Sequence, residues 1–385
     1  MHFPPIEACI ENVVACEQMG YDFVNFADQL QTTHPKAMWT PDLVSAANVW
    51  TDGDQWYDAF QLIAAASQHT QAIRLGVGVV DTQRRNPAVL AQMMVTASHL
   101  TQGRCYFTLG TGEHKQFFPY GEERRRPTDK LEEAIRVIRT LWSSGGAPIT
   151  RDSEFWPLRD AIFALPPYEG APPKIYVAGG GARIEEIVGE LADGWLVYLH
   201  GGVEGSSERF AETVQRIRAI AERHGRDPDE LDFIGMPLLI IGRDDDEARS
   251  YFASPMIQWN SIIATPSAET WVGWGYDHPL GNDFVFSRDF TVTTHSREEA
   301  LAACAQVPDD VTERVCVWGS PERVADQLHP YVDSGMTDIV WISYSAYANA
   351  ESAAYFPELV SEVVVRLGGE PLNVAALERG GTAIG

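Results

Sequence analysis

The chain has 385 residues, 45% of them hydrophobic and 22% charged, the composition of a folded domain and not of a disordered or collagen-like one. Its 29 basic residues against 54 acidic ones give a net charge of −25, which repels phosphate backbones and anionic lipid and argues against nucleic-acid or membrane partners. No stretch approaches the ~18 apolar residues of a membrane span, the first residues lack the basic and apolar regions of a signal peptide, and Cys9, Cys16, Cys105, Cys304 and Cys316 are odd in number and widely spaced, as expected of a reduced, cytoplasmic chain without disulfides or a cysteine zinc site.

In chain order, strands alternate with helices. Ile6 to Met19 has helical spacing and stops at Gly20, and Tyr21 to Phe26 alternates as a short strand. Asp54 to His69 reads as a helix, and Ile73 to Val80 as a buried strand. Pro87 opens a helix to about Leu100, Arg104 to Leu109 is a strand, and Thr128 to Trp142 is an amphipathic helix capped by Thr128. The second half continues with strands at Lys174 to Ala178, Gly194 to Tyr198, Leu231 to Ile241 and Thr337 to Ile342. Helices are expected over Ala182 to Leu191, Ser206 to His224, Pro321 to Asp333 and Ser352 to Leu367. Seven strands in this rhythm predict a parallel sheet covered by helices, one strand short of an eight-stranded (β/α) barrel. Three segments break the rhythm: 29–53, 110–126 and 259–297, the last with Trp259, Trp271 and Trp274. Insertions after strand ends are where barrels build their sites.

Four constellations stand out. Gly110-Thr111-Gly112-Glu113 directly follows a strand, where small residues admit a flat ligand and the acid sits on the rim; a plain turn explains the spacing equally well. Gly179-Gly180-Gly181-Ala182-Arg183 precedes a helix, where its unpaired N–H groups suit a phosphate in preference to the alternative of a flexible connector. Asp28-Gln29 ends the first strand, where an acid points into a site or caps a turn. Arg124, Arg125 and Arg126 with His114 and Lys115 are positioned to hold an acidic ligand tail or to form a solvated loop. Tyr276 to Gly281 is a pocket lining or a turn. There is no H-E-x-x-H, G-x-S-x-G or zinc spacing, so hydrolytic metal chemistry has no support and no metal is expected.

As a set, LGVGVVDTQRRNPAVLAQMMVTASHLTQGRCYFTLGTGEHKQFFPYG, ADQL and IYVAGGGARIEEIVGELADGW resemble the bacterial-luciferase-like superfamily, and most closely its coenzyme F420-dependent oxidoreductase branch, of the sugar-6-phosphate dehydrogenase and phthiodiolone ketoreductase types. The resemblance implies one α/β (β/α)8 TIM barrel domain over residues 1–385, with the cofactor at its C-terminal face. It also implies that Asp28 contacts the deazaflavin and that Gly78–Val79 form a cis non-proline peptide behind its ring. Thr111, Gly112 and Glu113 face the ring, and Gly179, Gly180, Gly181 and Ala182 hold its phosphate. Glu113 is the expected proton-transfer group, Gln29 orients the substrate oxygen, and His34 is a weaker candidate for the base. The sugar-phosphate members carry Asp-His where this chain has Asp28-Gln29, and here the only lysines are Lys36, Lys115, Lys130 and Lys174. Both departures point to an uncharged alcohol, ketone or enone, with the tryptophans of the third insertion as apolar walls. The first barrel strand is expected to be missing, because the chain starts at Met1-His-Phe-Pro-Pro. The alternatives are an FMN-dependent monooxygenase on the same barrel and a non-catalytic deazaflavin-binding protein; a homodimer is expected by resemblance.

Overall fold

The computed structural model describes residues 4–200 and 206–376. The opening Met1-His-Phe, on which the missing-strand expectation turns, and the Gly-rich tail both lie outside them. Seven parallel strands hydrogen-bond in chain order: β1 (Phe23–Phe26), β2 (Arg74–Asp81), β3 (Cys105–Gly110), β4 (Lys174–Ala178), β5 (Gly194–Leu199), β6 (Asp232–Pro237) and β7 (Asp338–Ile339). Each corresponds to a strand expected from the sequence. Strand β2 is an almost unbroken apolar run and is buried along nearly its whole length, as a parallel strand covered on both faces must be.

The chain forms two compact units. The first, Met1–Gln29, Trp56–Leu196 and Arg216–Asp232, holds β1 to β4 and the start of β5. Its helices include Ile6–Met19, Ala59–Ala66, Pro87–Thr101, Pro127–Trp142 and Ala182–Leu191. Asn86 caps Pro87–Thr101 by accepting the Ala88 N–H at 2.9 Å, with Pro at the first position. Two expected helix starts are corrected. Pro127 sets the start of the amphipathic helix, so Arg126 and not Thr128 sits at its N-cap, with no side-chain cap. The second helix begins at Ala59 and not at Asp54, because the Asp58 carboxylate accepts from the N–H groups of Phe60 and Gln61, both at 3.1 Å.

The second unit is Leu30–Gln55, Val197–Gln215 and Phe233–Gly385. Here the expected strand over Leu231 to Ile241 breaks in two: β6 ends at Pro237, and Leu239–Ile241 pairs in parallel with Val317–Gly319, a strand the sequence reading missed. The third insertion is largely helical, with Pro255–Ile263, Glu269–Gly273 and Phe286–Asp289. Among the described residues no helix is long and apolar enough to cross a membrane, and no group of three or more His, Cys, Asp or Glu is placed to hold a metal ion. All five cysteines are free thiols.

Candidate active site

The register of the first unit fixes where its strand-end residues emerge. Phe26 of β1 is opposite Val77, Asp81 of β2 is opposite Gly110, and Leu109 of β3 is opposite Val177. The strands are parallel, so Asp28, Thr111 to Glu113 and Gly179 to Ala182 leave the sheet along one edge, the C-terminal one, and Val79 lies two residues before the end of β2. The Gly78–Val79 peptide is cis. The ladder between β2 and β3 shifts register there, and Val79 is half-buried. Gly112 holds a φ of +71°, and a Cβ on it would come within 2.3 Å of the Phe117 ring and 2.8 Å of the Asp81 Cβ; glycine is required at that turn.

Asp28 is 5% exposed, and its carboxylate is held by arginine. Arg84 Nη2 donates to Oδ2 at 2.8 Å, Arg85 Nη1 to the same oxygen at 2.6 Å, and Arg85 Nη2 to Oδ1 at 2.9 Å. The Asp28 carbonyl accepts a further 2.8 Å bond from Arg84. Buried Asp81 orients Arg84, accepting from its Nε and, at 2.8 Å, from its backbone N–H. Both Asp28 oxygens are thus engaged by side chains of this chain. Sequence reasoning missed Arg84, Arg85 and Asp81. The visible signal was a pair of adjacent arginines at a strand end in a chain so rich in acids.

Glu113 and Gln29 are joined by a residue that the sequence placed in a surface cluster. Lys115 is 0% exposed. Its Nζ lies 2.9 Å from Glu113 Oε2 and donates to Gln29 Oε1 at 3.2 Å. The other members of that basic cluster scatter. Arg124 donates to the Gly112 carbonyl at 2.8 Å and to Thr111 Oγ1 at 3.2 Å, tying down the turn beside Glu113. Arg125 pairs with Glu123 on the surface, and Arg126 with Asp129 and Glu154. The expected five-residue cationic cluster is therefore replaced by two internal braces, Lys115 and Arg124, by surface ion pairs of Arg125 and Arg126, and by His114 stacked on the Phe118 ring at 4.7 Å.

Gly179, Gly180 and Gly181 are half-exposed or exposed. The helix Ala182–Leu191 starts from Gly181 without a side-chain cap, and a Cβ on Gly181 would meet nothing within 4 Å. The Gly179 carbonyl is held by Trp195 Nε1 at 2.7 Å, fixing the base of the loop. This is an open backbone-donor cradle at a helix N-terminus, and its chemistry fits a phosphate.

Other expected site features lie in the second unit. His34 is 0% exposed and packs against Tyr347, ring centroids 4.9 Å apart. His34 belongs to the second unit, and Glu113 and Gln29 to the first. For Trp259 and Trp271 the tryptophan reading is corrected, since both are 0% exposed and fill the core of this unit, whereas Trp274 is only partly buried. Trp259 packs beside Phe290 and His295 and donates to the Thr33 carbonyl at 2.9 Å. Tyr276 to Gly281 is a turn: His278 Nδ1 accepts the Leu280 N–H at 3.2 Å, and its ring stacks on Phe284.

A parallel α/β chain with charged and glycine-rich segments gathered at the C-terminal ends of neighbouring strands defines the barrel class of small-molecule enzymes. Within that class the chain belongs to the luciferase-like monooxygenase family, whose model matches residues 3–338. It is 33% identical over 344 residues to phthiodiolone/phenolphthiodiolone dimycocerosates ketoreductase of Mycobacterium tuberculosis (strain ATCC 25618 / H37Rv), covering 89% of each chain. Its fold is similar to that of an F420-dependent secondary alcohol dehydrogenase in complex with an F420-acetone adduct (TM-score 0.66, 18% identity, 94% of this chain and 96% of the other). It is also similar to the oxygenating constituent of 3,6-diketocamphane monooxygenase from Pseudomonas putida in complex with FMN (TM-score 0.58, 14% identity, 93% and 91%). These relatives are oxidoreductases, and their luciferase-like barrel is the fold of this chain.

Proposed function

We propose that the chain is a coenzyme F420-dependent oxidoreductase acting on an uncharged ketone, enone or alcohol. The observation that carries the reading is the single sheet edge at which Thr111 to Glu113 and the uncapped Gly179–Ala182 turn emerge, next to the Gly78–Val79 peptide of β2. The 33% identity to a ketoreductase supports the substrate class. The donor cradle at Gly179 to Ala182 fits a phosphate, and Gly110 and Gly112 let the turn before Glu113 pack closely on Val79 and Phe117. The deazaflavin, when bound, supplies or accepts a hydride, so that a ketone gains that hydride at carbon and one proton at oxygen to become an alcohol.

The chain's own groups do the rest. Glu113, whose side chain is 35% exposed, relays the proton between the substrate oxygen and water. Gln29 donates a hydrogen bond to that oxygen. Asp28 acts through Arg84 and Arg85, holding two cations beneath the edge. Val79 and Thr111 shape the surface against which the ring lies. His34 is retained as a secondary candidate, for a substrate-facing role in the second unit. The whole chain is read as one barrel domain working as a cytoplasmic homodimer.

The test is Glu113→Gln. Turnover of a ketone should fall about 10²- to 10⁴-fold with deazaflavin affinity kept; unchanged turnover removes Glu113 from the mechanism. The FMN-bound neighbour favours a second reading, a flavin monooxygenase. Titration of the purified protein with both cofactors separates the two, since tighter binding of FMN reverses the assignment.

A further inference from the structure

Lysine is rarely buried without a purpose-built partner, because its ammonium loses hydration that only charge-assisted hydrogen bonds replace. Lys115 is wholly buried, and the partners that stand out are the two residues assigned to the substrate oxygen: Glu113 at 2.9 Å and Gln29 at 3.2 Å. The three side chains come from two separate segments. Gln29 follows β1, whereas Glu113 and Lys115 follow β3. The ammonium is therefore a bolt between two strand-end loops of the same unit.

The chemistry of the pair also sets a direction. An ammonium has three donors and no acceptor, so the Gln29 atom facing it must be Oε1 and not Nε2. The amide oxygen accepts from Lys115 with one of its two lone pairs, and the N–H donors of Gln29 lie on the other branch of the amide. A group presented this way recognises an oxygen that accepts a hydrogen bond, as a carbonyl does.

We infer that Lys115 is a positioning residue: it fixes the Gln29 amide with its N–H groups toward the substrate oxygen and locks Glu113 beside it. This deepens the proposed function and rests on it for the substrate.

The test uses Lys115→Met, which keeps the length and removes the charge, alongside Lys115→Arg, which keeps a donor. Ketone turnover with reduced deazaflavin, cofactor affinity and melting temperature are measured on each. The Gln29 side-chain amide signals are followed in 15N-glutamine-labelled protein and assigned with Gln29→Ala. In Lys115→Met, kcat should fall about 10- to 100-fold, the range seen when an outer-shell orienting partner is lost. KM for cyclohexanone should stay within about twofold, and the Gln29 amide signals should shift or broaden. Lys115→Arg should recover most of the lost turnover. Wild-type kcat together with unmoved Gln29 signals in Lys115→Met overturns the inference. If the wild-type protein turns over no ketone with deazaflavin, the functional reading fails by itself, and the Gln29 signals alone then decide the role of Lys115: moved signals support it, unmoved signals refute it. If Lys115→Met does not fold, Lys115→Arg decides: native Gln29 signals support the inference and displaced ones refute it.

Discussion

The loop after β3 and the segment 259–297 look alike in the sequence, each a long departure from the strand–helix rhythm rich in unusual residues, yet they resolve in opposite ways. After β3, the special residues are charged and are buried only in company: Lys115 against Glu113 and Gln29, and Arg124 against the Gly112 carbonyl and Thr111. In 259–297 the special residues are aromatic and are buried for packing, Trp259 and Trp271 each with 0% exposure. Burying an aromatic side chain is favourable by itself and needs no further reason. Burying a cation costs several kcal/mol unless it is paired, so a paired buried cation signals selection for something besides stability.

Substitutions can break this contrast. The largest effect is expected in the packing region. Trp259→Ala removes a fully buried side chain and leaves the Thr33 carbonyl without its indole donor. It should destabilise the fold by about 4 kcal/mol, read as a lower melting temperature, while cofactor affinity in the folded fraction is retained. A loss of affinity larger than the loss of stability would show that the tryptophan segment does more than pack.

Asp28→Asn tests the other side. It keeps the shape but removes the charge that two arginines share, and should cost about 3 kcal/mol. Unlike Trp259→Ala, it should also weaken cofactor binding, because Arg84 and Arg85 lose the group that holds them at the sheet edge. A purely thermal effect would class Asp28 with the packing residues. Gly112→Ala should follow at about 1–3 kcal/mol, since it combines a positive φ with a 2.3 Å approach to Phe117. Calorimetry paired with a cofactor titration measures both quantities, and the wild-type melting temperature in Gly112→Ala would show that the turn relaxes freely.

The same contrast explains what the sequence could reveal. All seven strands of the sheet were legible, because an apolar run followed by a helical period is a local signal. So were the cis peptide at Gly78–Val79, through the resemblance, and the open glycine run at 179–181. The pairing of Leu239–Ile241 with Val317–Gly319 was not, because strands of three residues carry too little pattern and their partners lie far apart in the chain. Lys115 was misplaced for a related reason. A lysine flanked by His114 and Gln116 reads as solvated, and only the fold brings Gln29 to it. The tryptophans misled in the opposite direction, since an aromatic cluster in an insertion looks the same whether it lines a cavity or fills a core.

The weakest expected effect sharpens the comparison by supplying an ion pair of the second unit whose arginine is largely exposed. Glu247 in the second unit accepts from the Arg243 backbone N–H at 2.6 Å, from Arg243 Nη2 at 2.7 Å and from the Tyr355 hydroxyl at 3.0 Å. The Arg243 side chain, foremost, holds its carboxyl down to about 2, against an opposing push from burial. The folded value lies below the ordinary 4.5, so as pH falls the unfolded chain takes the proton first. The stabilisation is full above about pH 4.5 and is lost progressively towards pH 2. Glu247 is 16% exposed but its partner is 69% exposed, and solvent screening reduces the effect to about 1–2 kcal/mol. The melting-temperature gap between wild type and Glu247→Gln should therefore narrow from about pH 4.5 down towards pH 2 and shrink in high salt. A gap independent of pH and salt would mean that Glu247 is held for shape, as the tryptophans are, and not for charge.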